Sequence, residues 1–252
     1  MIEFKQVSLS IRATPILKNI NLSIAPTGLC SIIGPNGAGK STLLSALTQS
    51  EKIDSGEILI DGLAIQDVDK NALARRLSIL RQDNHIAARL TVLDLVTFGR
   101  FPYHKGRPSK DDMAQIESAI EFLDLSDLKH RFLDQISGGQ RQRAFIAMVL
   151  AQDTQYICLD EPLNNLDMKH SQAIMKRLRQ ACDELNKSII VVLHDINFAA
   201  SYSDTIVAMR DGEILHTGTP NSIMQDAVLE ELYDMPLNVQ QINGKPLCLY
   251  YS

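Results

Sequence analysis

The stretch that most constrains this chain is residues 34–42, GPNGAGKST. It contains the pattern G-x-x-x-x-G-K-S, whose small residues let backbone N–H groups close around phosphate oxygens at the start of a helix. An apolar, strand-like run precedes it at 29–33, and a helix-like run follows at 43–47. An ordinary glycine-rich turn requires neither flank, so we predict a phosphate-binding loop.

Two side chains of this loop carry individual expectations. Lys40 is expected to reach the β- and γ-phosphates of a nucleotide, and Ser41 to hold Mg²⁺. A nucleoside triphosphate and Mg²⁺ are therefore the expected ligands. The predicted phosphate-binding residues are Gly34, Pro35, Asn36, Gly37, Ala38, Gly39, Lys40, Ser41 and Thr42.

Composition argues against nucleic acid as the main ligand, without excluding a local basic patch. The 252 residues are 45% hydrophobic and 22% charged, as in ordinary globular proteins, and the net charge of −5 offers no general attraction to nucleic acid. The four cysteines are widely separated, so we expect reduced thiols and a cytoplasmic compartment. The longest apolar run, 144–151, is far shorter than the roughly 18 to 20 residues of a membrane span, and we see no secretory signal.

Hydrophobic patterning predicts an α/β fold. Alternating or apolar runs predict strands at 2–10, 17–24, 29–33, 56–62 and 77–80, of which the first two look antiparallel. Continuous apolar runs at 156–159 and 188–193, separated by a helix-like segment at 171–185, predict buried parallel strands. A hairpin is expected at 205–216, a last helix at 221–233, and two strands near Val239 and Leu247.

Residues 90–150 have helical spacing instead, which predicts a helical subdomain inserted between strands. Its connector, residues 99–108, is basic and aromatic, and its two prolines are expected to break any helix. Aromatic residues of this kind could stack on nucleic acid, but a contact with another subunit fits the acidic chain better.

Two acids follow one of the apolar strands. Asp160 and Glu161 stand where a strand would deliver carboxylates to Mg²⁺ and a nucleotide held by the loop. Asp160 is predicted to orient Mg²⁺ or its water, and Glu161 to act as general base on the attacking water. A solvated acidic pair at a strand end is the alternative, and the phosphate loop in the same chain favours the catalytic interpretation.

A second anion-binding helix start is predicted just before the helical run 141–150. Ser137, Gly138, Gly139 and Gln140 cap that run, although a plain helix cap is the alternative. Gln82 stands at the end of an earlier strand, and His194 at the end of a later one.

In this order the motifs resemble the ATPase subunit of ATP-binding-cassette transporters, and the resemblance covers nearly the whole chain. The matching stretches are GPNGAGKST, Gln82, ISGGQ, YICLDEP, NNLD and His194. The resemblance implies ATP as the nucleotide, with Mg²⁺. It also implies an α/β fold: a P-loop NTPase core, formed by a parallel sheet plus N-terminal antiparallel strands, with an inserted α-helical subdomain.

The resemblance also implies one cassette domain over residues 1–252. It divides into a nucleotide-binding core at 1–85 and 152–220, a helical subdomain with the signature at 86–151, and a C-terminal helix and strands at 221–252. Two copies are expected to sandwich two ATP molecules head to tail and to bind transmembrane permease subunits. The expected location is the cytoplasmic face of a bacterial inner membrane, as a peripheral subunit.

Individual roles follow from the same resemblance. Glu161 is the implied base, His194 the γ-phosphate switch, and Gln82 the lid residue that contacts Mg²⁺ and water. The implied metal-binding residues are Ser41, Gln82 and Asp160. The implied signature residues are Ser137, Gly138, Gly139 and Gln140, each completing the site of a second copy, and Asp167 is the implied acid of the dimer loop.

One position departs from the family pattern. Ile11 stands where the family usually has an aromatic residue that stacks on adenine, so the base is held by apolar contact alone or by a neighbour such as Arg12. Base preference therefore stays open.

The finer resemblance is to the ATPases of bacterial iron(III)-siderophore importers, close to those for cobalamin and haem. It is carried by the stretches GRFPYHKGR, DEPLNNLD and HDINFAASYSD. It implies a permease and, indirectly, a substrate-binding protein, with no nucleic acid. The alternatives are a cobalamin or haem importer, a soluble cassette ATPase of cluster assembly, DNA repair or translation, and a P-loop kinase or GTPase.

Overall fold

A computed structural model describes residues 1–82, 84, 86, 88–104 and 106–249. The strands are β1 (Ile2–Ile11), β2 (Thr14–Ile24), β3 (Gly28–Ile33), β4 (Ser55–Ile60), β5 (Leu63–Ala64), β6 (Leu77–Leu80), β7 (Tyr156–Asp160), β8 (Ser188–Val192), β9 (Thr205–Arg210), β10 (Glu213–Gly218), β11 (Asn238–Ile242) and β12 (Lys245–Leu249). The α helices are α1 (Lys40–Leu47), α2 (Lys70–Ala74), α3 (Val92–Phe98), α4 (Phe101–His104), α5 (Lys110–Phe122), α6 (Gly138–Ala151), α7 (Met168–Leu185), α8 (Ile196–Tyr202), α9 (Pro220–Ile223) and α10 (Asp226–Tyr233).

The central sheet has the strand order β10-β9-β3-β8-β7-β6, and every neighbouring pair except β9 and β10 is parallel. Its register aligns Cys30 of β3 and Cys158 of β7 with Ile190 of β8. Because the carboxyl ends of parallel strands meet at one edge, the loops after β3, β7 and β8 leave the sheet side by side. The predicted parallel sheet is confirmed, and its strand order creates the site.

Alternate residues of β8 point to opposite faces of the central sheet and pack into two different hydrophobic clusters. Ile190 and Val192 face a cluster that surrounds α1 and includes the antiparallel sheet β2-β1-β4-β5. Ile189 and Val191 face a second cluster, shared with the helices of the inserted segment. That segment therefore has no separate core of its own: buried residues of α3 and α5 join the same cluster as those of β7.

Two local predictions were wrong. The connector contains α4, because Pro102 is the second residue of this helix, where an N–H has no intrahelical partner to lose. The predicted last helix is split into α9 and α10, since Gln225 is extended and Met224 between them is fully packed. Lys105 of the connector lies outside the described residues.

Candidate functional site

The predicted phosphate-binding loop runs from the end of β3 to the start of α1. Gly34 has a φ of +144°, and a Cβ atom there would lie 1.9 Å from the Met209 carbonyl oxygen. Gly39 has a φ of +96° and forms the N-cap of α1. The turn of the β9–β10 hairpin supports the loop, since the Gly212 N–H donates to the Ala38 carbonyl oxygen at 3.2 Å. Only glycine can take this path at Gly34.

Lys40 is held inside the loop. Its side chain is 5% exposed, and its Nζ donates to the carbonyl oxygens of Gly34 at 2.7 Å and Pro35 at 2.9 Å. Burial lowers the pKa of Lys40, while the nearby carboxylates of Glu161 and Asp160 oppose the shift. The ammonium is thus a buried positive charge placed beside two acids.

Asp160 and Ser41 form an oxygen pair next to this ammonium. The Ser41 hydroxyl donates to Asp160 Oδ1 at 3.0 Å, and Asp160 is 7% exposed. Burial raises the pKa of Asp160, the Ser41 hydrogen bond opposes it, and the charge of Glu161 adds to the rise. A hydroxyl and a carboxylate are the hard ligands that Mg²⁺ takes together with phosphate and water.

Glu161 stands at the centre of the polar residues. Its φ of +49° places a non-glycine residue in the left-handed region, which costs free energy and is concentrated at functional sites. His194 Nε2 lies 2.7 Å from Glu161 Oε1, and Gln82 Nε2 donates to Glu161 Oε2 at 2.8 Å. The structure therefore brings together all three residues predicted to be catalytic.

Sequence reasoning missed Asn164. Its Nδ2 also donates to Glu161 Oε2, and its backbone N–H donates to the Glu161 carbonyl oxygen at 3.2 Å. The available signal was the three-residue spacing between Glu161 and Asn164, which places an amide one turn beyond the predicted base. Asn164 completes the set of groups around this carboxylate.

These residues line one cavity of about 620 Å³, a volume typical of a small-molecule site. Its walls are the loop from Asn36 to Thr42 together with Gln82, Glu161, Asn164, His194 and Ile16 of β2. Ile11 lies at the exposed end of β1, beside the turn to β2, and does not line the cavity. Contact between Ile11 and a base stays a prediction, whereas Ile16 was missed because nothing local distinguishes it from other apolar strand residues.

The predicted signature does not line this cavity, but Gly138 lines a neighbouring pocket together with Gln82 and Asn164. Ser137 caps α6 in a reciprocal pair with Gln140, and Ser137 and Gly138 are exposed. A Cβ atom on Gly139 would lie 2.5 Å from the His170 ring, whose Nδ1 lies 2.7 Å from Asp167 Oδ1. The signature and Asp167 therefore share His170 as a neighbour, on an exposed face of the same chain.

Comparison with known proteins decides the family. The family model described as "ABC transporter" matches residues 17–164. The chain belongs to the ABC transporter family. Family membership makes it an ATP-binding ATPase, confirms the predicted fold class and nucleotide, and removes the kinase and GTPase alternatives. No helix within the described part of this ABC ATPase is long and apolar enough to cross a membrane.

Curated relatives cover the whole chain. The petrobactin import ATP-binding protein YclP of Bacillus subtilis (strain 168) is 51% identical over 252 residues, all of both chains. The petrobactin import ATP-binding protein FatE of Bacillus anthracis is 46% identical over 92% of each chain. The ferric enterobactin transport ATP-binding protein FepC of Escherichia coli (strain K12) is 34% identical over 96% of this chain and 91% of that protein.

Solved structures share the fold. A dimeric ATP-binding cassette in a post-hydrolysis state, bound to ADP and Pi, is 30% identical, with a TM-score of 0.77 over 87% of this ABC ATPase and 99% of that chain. A chain of an inward-facing ABC transporter gives a TM-score of 0.85 over 99% of this chain and 98% of its own, at 22% identity, which supports the fold alone.

Proposed function

We propose that this ABC ATPase hydrolyses ATP to drive import of an iron(III)-siderophore complex through a membrane permease. The observation that carries the catalytic part is the arrangement of Glu161, held by His194 and Gln82 beside the phosphate-binding loop. The cargo class is supported by relatives named for petrobactin and ferric enterobactin import, which align over nearly their full length.

In the proposed mechanism, each group of the cavity has one task. The loop N–H groups and Lys40 bind the phosphates, and Glu161 accepts a proton from the water that attacks the terminal phosphorus. His194 and Gln82 hold the Glu161 carboxylate in place through its two oxygens. In phosphoryl transfer, positioning and electrostatic stabilisation of this kind account for most of the catalysis.

Mg²⁺ fits the oxygen pair of Ser41 and Asp160. These two residues would hold the ion, which neutralises charge on phosphate oxygens when it is bound. Gln82 donates its Nε2 to Glu161, so its Oε1 remains as a third oxygen ligand of neutral charge. One hydroxyl, one carboxylate and one amide leave room for the phosphate and water ligands that Mg²⁺ retains.

A second copy of the chain is proposed to complete each ATP site. Residues Ser137 to Gln140, of which Ser137 and Gly138 are exposed, stand at the N-terminus of α6, whose positive dipole end suits a phosphate. Asp167 lies beside them and would contact the same partner. Dimeric structures of cassettes that are 30% and 31% identical support a two-fold sandwich.

The permease is proposed to dock on the helical subdomain, residues 86–151, which lies against the nucleotide-binding core, residues 1–85 and 152–220. Phe98 at the end of α3 and Phe101 of the connector are 52% and 54% exposed, which is unusual for large apolar side chains. Docking there would place the chain on the cytoplasmic face of a bacterial plasma membrane. A substrate-binding protein would act on the other side of the permease and touch this chain only indirectly.

The test of the catalytic assignment is Glu161→Gln. The amide keeps the shape of the side chain but cannot accept the proton, so we expect kcat for ATP hydrolysis to fall on the order of 10²–10⁴-fold. ATP binding should persist, and the variant should accumulate as an ATP-bound dimer in gel filtration. Glu57→Gln, on an exposed position of β4, is the matched control. Normal turnover by Glu161→Gln would refute the base assignment.

Purification from membranes separates an importer from a soluble cassette ATPase. We expect the tagged full-length chain, extracted with detergent, to retain polytopic subunits. A complex that stays soluble without them would favour cluster assembly, DNA repair or translation. Uptake of radiolabelled iron-siderophore, cobalamin and haem by cells that carry the Glu161→Gln variant would then distinguish the cargo classes, because only the true cargo should lose uptake.

A further inference from the structure

The position of His194 depends on the short helix that follows it. His194 stands between the end of β8 and the start of α8 at Ile196. The intervening Asp195 caps α8, and its Oδ1 accepts from the N–H groups of Asn197 at 2.8 Å and Phe198 at 3.2 Å. A movement of α8 would therefore move the imidazole that contacts Glu161.

Asn197 fastens α8 to the last strand of the described chain. Its Oδ1 accepts from the Cys248 N–H at 2.8 Å, and its Nδ2 donates to the Cys248 carbonyl oxygen at 3.2 Å. Both ends of the amide thus bind the backbone of one residue of β12, which is 2% exposed. Paired hydrogen bonds at a buried position are costly to leave unmade, so they hold helix and strand together.

The strand β12, to which Asn197 is hydrogen-bonded, is itself part of a larger C-terminal structure. We call residues 226–249 the C-terminal unit; it consists of α10, β11 and β12. Within it, the Val239 N–H donates to Asp226 Oδ1 at 2.7 Å, and on its outer side Glu231 Oε2 lies 2.9 Å from His216 Nε2 on β10. The β9–β10 hairpin also supports the phosphate loop through Gly212. The unit is therefore connected both to α8, through Asn197, and to the hairpin that supports the phosphate loop.

Tyr233 of the C-terminal unit also lies close to the phosphate-binding loop. Its hydroxyl is buried beside the backbone of Gly34, the first residue of the phosphate loop, and has no hydrogen bond of acceptable geometry among the described residues. The same side chain packs against the core cluster that includes Cys248. The C-terminal unit thus adjoins both the loop that binds phosphate and the helix that carries His194.

We propose that Asn197 is a positioning residue for ATP hydrolysis: by fixing α8 to β12 it holds His194 against Glu161. The inference rests on the catalytic role proposed above for His194. It makes the C-terminal unit a structural determinant of turnover, although no residue of that unit lines the cavity. Loss of the two hydrogen bonds between Asn197 and Cys248 should slow hydrolysis while leaving ATP binding nearly intact.

The test compares Asn197→Ala with Asn197→Asp in the full-length chain. We expect Asn197→Ala to lower kcat about tenfold, within the range that small misplacements of catalytic groups produce, with little change in KM for ATP. Asn197→Asp keeps the acceptor for the Cys248 N–H but loses the donor, so its kcat should be intermediate. It also carries the test if Asn197→Ala does not fold. Asn238→Ala, at the start of β11, is the matched control.

Two further readouts distinguish positioning from general destabilisation. Hydrogen exchange should accelerate in β12 and α8 of Asn197→Ala but not in Asn238→Ala, and the His194 ring signals in NMR spectra should shift. If exchange in β12 accelerates while α8, the His194 signals and kcat stay as in the wild type, the coupling is refuted. His194→Ala serves as reference. If it is inactive while Asn197→Ala is fully active, only this inference fails; if it is fully active, the proposed role of His194 fails first.

Discussion

Two buried groups of charges in this chain behave in opposite ways. Arg100 of the connector and Asp112 of α5 are 8% and 5% exposed, and Arg100 Nε donates to Asp112 Oδ1 at 2.9 Å. Burial works against ionisation of Asp112, but hydrogen bonds from Ser109 and the charge of Arg100 outweigh it and lower its pKa to about 2. In the nucleotide site, Lys40 and Asp160 are also little exposed, and burial outweighs the opposing contacts: the pKa of Lys40 is lowered and that of Asp160 raised.

The difference lies in how completely the protein compensates each charge. Both carboxylate oxygens of Asp112 accept hydrogen bonds from within the chain: Oδ1 from Arg100, and Oδ2 from the N–H and hydroxyl of Ser109. We call this buried ion pair of Arg100 and Asp112 the clamp. Among the residues that the structure describes, the Lys40 ammonium donates to loop carbonyls alone, and the Asp160 carboxylate accepts from one hydroxyl. We propose that the nucleotide site retains these charges, at a cost in stability, because a triphosphate and Mg²⁺ would satisfy them better than the protein does.

The clamp also orients the proposed docking surface. The Arg100 guanidinium lies 3.8 Å from the centre of the Tyr103 ring, and the Tyr103 hydroxyl donates to the Gln152 carbonyl oxygen at 3.0 Å. Arg75 of α2's C-terminal end donates to the Pro102 carbonyl oxygen at 3.1 Å. These contacts tie α4, which bears the exposed Phe101, to the nucleotide-binding core.

The largest expected effect is on activity, from Lys40→Ala. Removing a preorganised positive charge at the phosphates should lower kcat on the order of 10²–10³-fold or more, and should abolish transport. The hydrogen bonds of the Lys40 ammonium only partly offset the cost of burying its charge. Removing the charge should therefore change the free energy of unfolding by less than about 1 kcal/mol. ATPase assays and urea unfolding measure the two quantities. Lys176→Ala, exposed on α7, is the control; a large loss of stability in Lys40→Ala would remove the contrast with the clamp.

The next effect is on stability, from Asp112→Asn. The change leaves the Arg100 charge buried without its partner, so the free energy of unfolding should fall by about 3 kcal/mol, with little change in hydrolysis below the unfolding transition. Urea unfolding of the variant and of Asp111→Asn, its exposed neighbour, provides the comparison. Equal stability of the two variants would show that the clamp contributes nothing.

The pH dependence of this difference follows from the direction of the shift. The folded pKa of Asp112, about 2, lies below its ordinary value of 3.8. The contribution of the ionised carboxylate is therefore complete above pH 4 or so, and is lost as the pH falls through this window towards 2. The stability gap between the wild type and Asp112→Asn should narrow over the same interval.

The smallest effect is expected from Asp160→Asn. The amide oxygen can still accept from Ser41 and carries no charge to desolvate, so stability should rise by about 1 kcal/mol while hydrolysis falls. Since the pKa of Asp160 is raised in the folded state, the wild type loses stability as the pH rises through that pKa. The increase in the free energy of unfolding that Asp160→Asn produces should therefore be absent at acidic pH and appear towards neutral pH. If Asp160→Asn were less stable than the wild type at pH 7, the protein's own contacts would have to offset the cost of burying the Asp160 charge, which would contradict this comparison.

Prediction from sequence succeeded where a motif carries its own geometry. The loop at 34–42 requires glycine at Gly34 for steric reasons that are local, and Ser137 caps α6 with the residue three positions on. It failed where a contact joins distant segments. Nothing in the neighbourhood of Ile16 marks it as a cavity residue, and the left-handed backbone of Glu161 is imposed by its surroundings.

The order of glycines, apolar runs and charged residues along the chain was sufficient to predict the fold class and the nucleotide, and it named the residues that the structure brings together at the cavity, because these are properties of short segments. The distances that make a site, such as 2.7 Å between His194 and Glu161, follow from β7 and β8 being neighbours in the sheet. The ion pair of Arg100 with Asp112 and the hydrogen bonds of Asn197 with Cys248 likewise depend on which elements pack against each other. Which strands and helices become neighbours depends on the packing of the whole chain, and no local pattern encodes it.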